Sequence, residues 1–166
     1  MDVRHEMLSE FREELSTTRR VLERIPKGKM RWQPNSKSMP LGQLAMHLAT
    51  LPGGIAKMSR ADSFDLASRN AGAPIPKDIA EVLEALERSV SEVESTFTEI
   101  SEEGASTPWR LLRGERELFS WPRFKLWRRM LFNHWYHHRG QLTVYLRLLD
   151  VSVPSIYGPS ADESPF

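Results

Sequence analysis

Four long segments of this chain carry apolar residues at alternating spacings of three and four, and proline and glycine fall between them. That period puts each apolar set on one face of a helix, a face that is stable only when buried against another element. The first segment, 3–25, stacks Leu8, Phe11, Leu15, Leu22 and Ile25 and stops at Pro26 and Gly28. The second, 40–60, carries Leu41, Leu44, Leu48, Leu51, Ile55 and Met58. Ser38 is placed to cap it, and Pro40 suits its first turn, where a missing N–H costs nothing. Pro52-Gly53-Gly54 lies inside this segment and predicts a kink. The third, 76–101, has the most regular stripe, from Ile79 through Leu86 and Val93 to Ile100. The fourth, 120–149, aligns Phe124, Trp127, Leu131, His134, His138, Tyr145 and Leu149 on one seam.

Four such stripes bury one another best as an all-α, antiparallel four-helix bundle. A length of 166 residues suits a single domain spanning 1–166, with a core of its own. Two connections, 61–75 and 102–119, exceed the usual helix–helix loop of about 2–8 residues. They are expected to cross a bundle end or to wall a functional pocket. No strand alternation stands out. The tail, 150–166, holds Pro154, Gly158, Pro159 and Pro165 and is expected to be non-helical.

Composition excludes several classes. There is no cysteine, so a disulfide scaffold, a thiolate metal site and a cysteine nucleophile are ruled out. The net charge of +1 argues against a nucleic-acid partner. No apolar run approaches the roughly 18 residues of a membrane span, and Met1-Asp2-Val3-Arg4-His5-Glu6 lacks the apolar centre of a signal peptide. A cytoplasmic location is expected. Charge is unevenly spread. Residues 77–103 hold nine acidic and two basic side chains, whereas 110–147 hold nine basic and two acidic. The third and fourth helices are therefore either complementary neighbours or carry ordinary solvated exteriors.

The histidines carry the chemistry. His134 and His138 are four apart, one turn above the other on the buried seam, a spacing at which two imidazoles can chelate one metal ion. His47 sits between Leu44 and Leu51 on the buried side of its own helix and supplies a third candidate ligand. Convergence of the three would leave at least one coordination position open. The alternative is that each is a core histidine bonded to a neighbour. Gln141, three residues after His138, is placed to hydrogen-bond a ligand or a substrate. His137 falls off the seam, and His5 has no partner pattern.

Three stretches resemble the DinB-like superfamily of metal-binding four-helix bundles. They are Ser38-Met39-Pro40-Leu41-Gly42-Gln43-Leu44-Ala45-Met46-His47-Leu48, then Asn133-His134-Trp135-Tyr136-His137-His138-Arg139-Gly140-Gln141-Leu142, and the tail from Val153 to Glu163. The middle one, similar to the family's H-x-x-x-H-x-G-Q helix, is the specific signal. The resemblance implies a divalent metal, zinc or nickel, held by His47, His134 and His138, and a homodimer. Trp127 and Trp135, in excess of what one seam needs, suggest a second apolar face for that dimer. Related proteins include a mycothiol-dependent maleylpyruvate isomerase and bacillithiol S-transferases, so a low-molecular-weight thiol cosubstrate enters the expectation, although no local motif selects one.

Two functions compete on this basis. The first is a divalent-metal-dependent enzyme of the thiol-transferase or hydrolase type, acting on a small-molecule substrate through the open position. The second is a non-catalytic stress or interaction protein whose metal is structural, the site being closed by Asp162 or Glu163 from the tail.

Overall fold

The computed structural model describes residues 2–68 and 74–164. In chain order the elements are α1 (Val3–Glu23), α2 (Leu41–Met58), the short strand β1 (Ser63–Asp65), α3 (Ile79–Glu99) and a short helix α4 (Glu102–Ser106). Strands β2 (Pro108–Arg113) and β3 (Arg116–Pro122) follow. The last element is a rod in which α5 (Arg123–Leu126) passes through a π-helical stretch (Trp127–Asn133) into α6 (His134–Leu148).

The four apolar stripes do form four long helical elements around one core, but two expectations about the fold are overturned. The first is the all-α class. The described residues include a three-stranded mixed sheet in the order β1-β2-β3, which takes three residues of the first long connection and much of the second. β1 runs parallel to β2, with Phe64 opposite Leu111, and β2 pairs antiparallel with β3, with Trp109 opposite Trp121. Gly114, at φ 59°, supplies the left-handed backbone that the tight turn between β2 and β3 requires. β3 also takes residues 120–122 from the predicted fourth helix. Arg110 separates Trp109 from Leu111 and Ser120 separates Phe119 from Trp121, but each alternating run is only three residues long, and β1 is recognisable as a strand only by a partner more than forty residues away.

The second correction is orientation. Arg12 pairs with Glu94 and Arg19 with Glu87, so α1 and α3 are antiparallel. Gly53 meets Ser89 while Arg60 reaches Ser95 and Glu99, so α2 and α3 run parallel. Trp135 bonds Leu48 and Trp127 bonds Ser59, which sets the final rod antiparallel to α2; Glu10 with Arg128 and Thr18 with Arg139 set it parallel to α1. A parallel neighbour cannot be reached by a tight turn, so the long connection between α2 and α3 is a geometric necessity.

Pro52 does not break α2, which is continuous from Leu41 to Met58. Proline cannot donate to the carbonyl four residues earlier, and that carbonyl, Leu48 O, instead accepts the Trp135 indole N–H at 2.9 Å. A side chain on Gly53 would lie 2.7 Å from Ser89 Cα, so glycine is what lets α3 approach. Ser38 is not the cap. The N-cap is Pro40, and the unpaired N–H groups of Leu41 and Gly42 donate to the backbone carbonyls of Trp32 and Met30.

Among the described residues no ion pair joins the acidic helix to the basic one. α1 lies between them, its arginines taking Glu87 and Glu94 of α3 and its glutamates, Glu10 and Glu14, taking Arg128 and Arg139 of the final rod. Trp127 and Trp135 are fully buried in the chain's own core, which removes them as a second apolar face. The tail is non-helical through Ser164 and is tied down by Arg20 with Glu163 and Arg147 with Asp162.

The sheet is fastened to the bundle by one buried arginine. Arg123 Nε donates to Ser59 O at 2.8 Å, and its other nitrogens donate to Ala61 O, Gly104 O, Thr107 Oγ1 and Asp62 Oδ1. All five contacts lie where α2 ends, where α4 meets β2, or just before β1. The clamp therefore holds the sheet beside α2, the helix that carries His47.

Candidate metal centre

His134 and His138 come from consecutive turns of α6, and His47 comes from α2. Their meeting is set by the Trp135–Leu48 hydrogen bond, because Trp135 follows His134 in the chain and Leu48 follows His47. The bond exists because Pro52 leaves the Leu48 carbonyl available. The three imidazoles converge: ring centroids are 5.3 Å apart for His47 and His134, and 4.6 Å for each of the other two pairs. One candidate ligand atom from each residue lies within 4.8 Å of the others. His134 Nε2 and His138 Nε2 are 2.8 Å apart.

His138 Nδ1 lies 2.8 Å from Gln141 Oε1. An amide oxygen can only accept, so Nδ1 carries the proton and the Nε2 lone pair points at the other two rings. Burial holds the His138 pKa below the usual imidazole value; the Gln141 hydrogen bond pulls the other way, and charge on His137 would depress it further. A neutral imidazole whose outer nitrogen is held by an oxygen acceptor is the form that binds a metal. The donor set therefore fits a divalent transition ion: three nitrogen ligands, one tautomer fixed from behind, and no cysteine or carboxylate in the cluster among the described residues.

The remaining candidates lie elsewhere. His137 is exposed at the rim, and His5 stands beside Asp2 at the start of α1. Asp162 is taken by Arg147 and by the Val153 N–H, and Glu163 by Arg20, so neither expected closing carboxylate joins the histidines.

A cavity of about 280 Å³ adjoins His47 and His134. Leu51, Ile55 and Met58 of α2 and Met130 of the π-helical stretch form part of its wall. Phe64 and Leu66 from the first long connection and Leu111 from the second complete it. Residues 69–73 of the first connection lie outside the described residues. The sequence led to a wall from either 61–75 or 102–119, without naming residues, and the cavity takes its wall from both. Met130 could have been found from its position one turn before His134, whereas Phe64 and Leu111 depend on the sheet.

Fold and site together define a class: a four-helix core with an added small sheet, carrying a three-histidine cluster of metal-ligating geometry that opens onto an apolar cavity. The DinB family model matches residues 1–165, and the chain belongs to the DinB family.

Two solved structures share the fold. A DinB-like protein from Bacillus cereus ATCC 10987 superposes with a TM-score of 0.70 at 20% identity, covering 90% of this chain and 95% of that one. A DinB-like protein from Bacillus subtilis, YjoA, superposes with a TM-score of 0.68 at 17% identity, covering 97% and 96%. The uncharacterized protein YrdA of Bacillus subtilis strain 168 is 52% identical over 33 residues, a stretch that spans 20% of either chain. No helix among the described residues is long and apolar enough to cross a membrane.

Proposed function

We propose that His47, His134 and His138 hold one divalent metal ion, zinc or nickel, and that the protein is a metal-dependent enzyme of the thiol-transferase or hydrolase type acting on a small molecule. The observation that carries this is the convergence of the three imidazoles at an apolar cavity, with Gln141 fixing the His138 tautomer. A bound ion would supply Lewis acidity toward a water or thiol group. The chain's own contribution is orientation. α2 and α6 hold the ligands, Gln141 holds a proton on His138 Nδ1, and the cavity walls offer an apolar surface on the side where a substrate would sit. Because the chain has no cysteine, any nucleophilic thiol must come from a cosubstrate. The site of a structural metal closed by the tail has no support, since both tail carboxylates are committed to arginines elsewhere. The homodimer belongs to the same proposal, supported by the exposure of Val144 and Leu148 one turn apart on α6.

Elemental analysis of protein purified without a polyhistidine tag tests the reading. About one ion per chain is expected in the wild type, and almost none in His134→Ala or His138→Ala, because a two-imidazole chelate is reduced to one ligand. His137→Ala should retain its metal. Wild-type protein that takes up neither zinc nor nickel on addition would overturn the assignment.

A further inference from the structure

Two glycines adjoin in α2, and only one is explained by packing. Gly53 is required by the approach of Ser89, but a side chain at Gly54 would meet nothing within 4 Å, and its backbone is ordinary helix. Glycine inside a helix costs about 1 kcal/mol relative to alanine. That cost gains no contact within the fold. Gly54 does, however, line the cavity beside His47 and His134. Around the same cavity Met58, Phe64, Leu66, Leu111 and Met130 are only half-buried. These apolar side chains face a space instead of packing into the core. Among the described residues no Lys, Arg, Asp or Glu lines that space, so away from His47 and His134 a charged group entering it would lose its hydration without gaining a partner.

We propose that the site takes substrates through an uncharged, apolar group seated in this cavity, and that the missing side chain at Gly54 sets the size of group admitted. The inference rests on the site assignment above for what the histidines do, but seating of the apolar group does not require the ion. The volume of about 280 Å³ is at the small end for a ligand pocket, which points to a short alkyl or single-ring group.

The test is a titration of metal-free protein carrying isotopically labelled methionine methyl groups with straight-chain primary alcohols from propanol to octanol, set against hydroxy-carboxylates of equal length. The Met58 and Met130 methyl resonances are the expected reporters. Affinity for the alcohols should rise about fourfold per added methylene until the cavity is full, and the carboxylates should bind far more weakly. Gly54→Ala should fold at least as stably as the wild type, since its Cβ meets nothing. Gly54→Leu should keep the shortest alcohols and lose affinity for the longest by about tenfold or more. No shift at either methyl, equal binding of carboxylates, or an unchanged length profile in Gly54→Leu would overturn the inference. Zinc and nickel added to separate aliquots, with uptake read by elemental analysis, separate the two readings. Alcohol-induced methyl shifts in protein that takes up neither metal would sink the metal assignment and leave the cavity inference standing, and metal uptake without alcohol-induced shifts would do the reverse.

Discussion

α6 carries two buried polar clusters on different sides, and they are built in opposite ways. Toward α1, Arg139 is almost wholly buried. It is paired with Glu14 at 2.6 Å, bonded to Thr18 Oγ1 and to the Tyr157 hydroxyl, and packed by the Tyr136 and Tyr157 rings. Beside it, Glu10 receives Arg128 and the Tyr136 hydroxyl. Every charge on this side meets an opposite charge, so the cluster is closed. Toward α2, the histidine side holds no carboxylate among the described residues, and the His138 Nε2 lone pair points at His134 beside a cavity. Burial of polar groups is common to both sides. What marks the candidate site is three imidazoles converging on one another beside a cavity, with no carboxylate among them in the described residues.

The comparison can be broken from either side. The largest effect is expected for Arg139→Ala, which leaves Glu14 inside without its partner and should lower stability by about 3–5 kcal/mol in urea unfolding. The folded fraction should keep its metal; a matched loss of metal would show that the two sides of α6 act as one unit. Gln141→Leu should do the converse. Loss of the acceptor behind His138 should weaken metal affinity by about 10–100-fold, read by competition with a chelator, with unfolding little changed. An unaltered affinity would remove Gln141 from the site.

The smallest effect is a pH dependence confined to the α1 side. The Arg128 hydrogen bonds hold the Glu10 carboxyl below its ordinary value, against burial, and the Tyr136 hydroxyl adds to the lowering. Glu10 therefore contributes stability that is complete above the unfolded value of about 4.3 and is lost as pH falls through the lower folded value. Wild type should exceed Glu10→Gln in Tm at neutral pH, and the gap should close in that acid range. A gap that persists at the acid end would mean the side chain acts through packing instead of charge.

The convergence of the histidines was partly legible in the sequence, for a local reason. His134 and His138 share a helix face by spacing alone, and Gln141 falls one turn further along, so periodicity places all three before any tertiary contact is known. His47 was legible only as a residue on the buried side of another helix. Which α6 turn it meets depends on Trp135 and the Leu48 carbonyl, two groups 87 positions apart in the chain. Pro52 shows the same division. As a local signal it predicts a kink, and in the fold its missing N–H leaves an acceptor that another helix uses.

The sequence by itself determined roughly where four helices lie and most of their inward faces, because helix periodicity is written in neighbours three and four residues apart; on the fourth, Phe124 of the expected seam is exposed while Trp135 and Arg139, off it, are buried. Only the tertiary structure decided that α2 and α3 run parallel, that short strands in the two long connections pair as a sheet, and that the sheet walls a cavity beside the histidines. The physical reason is that a strand three to seven residues long gains its hydrogen bonds from a partner elsewhere in the chain. Helix direction, likewise, is set by contacts between elements, of which no single segment carries both halves.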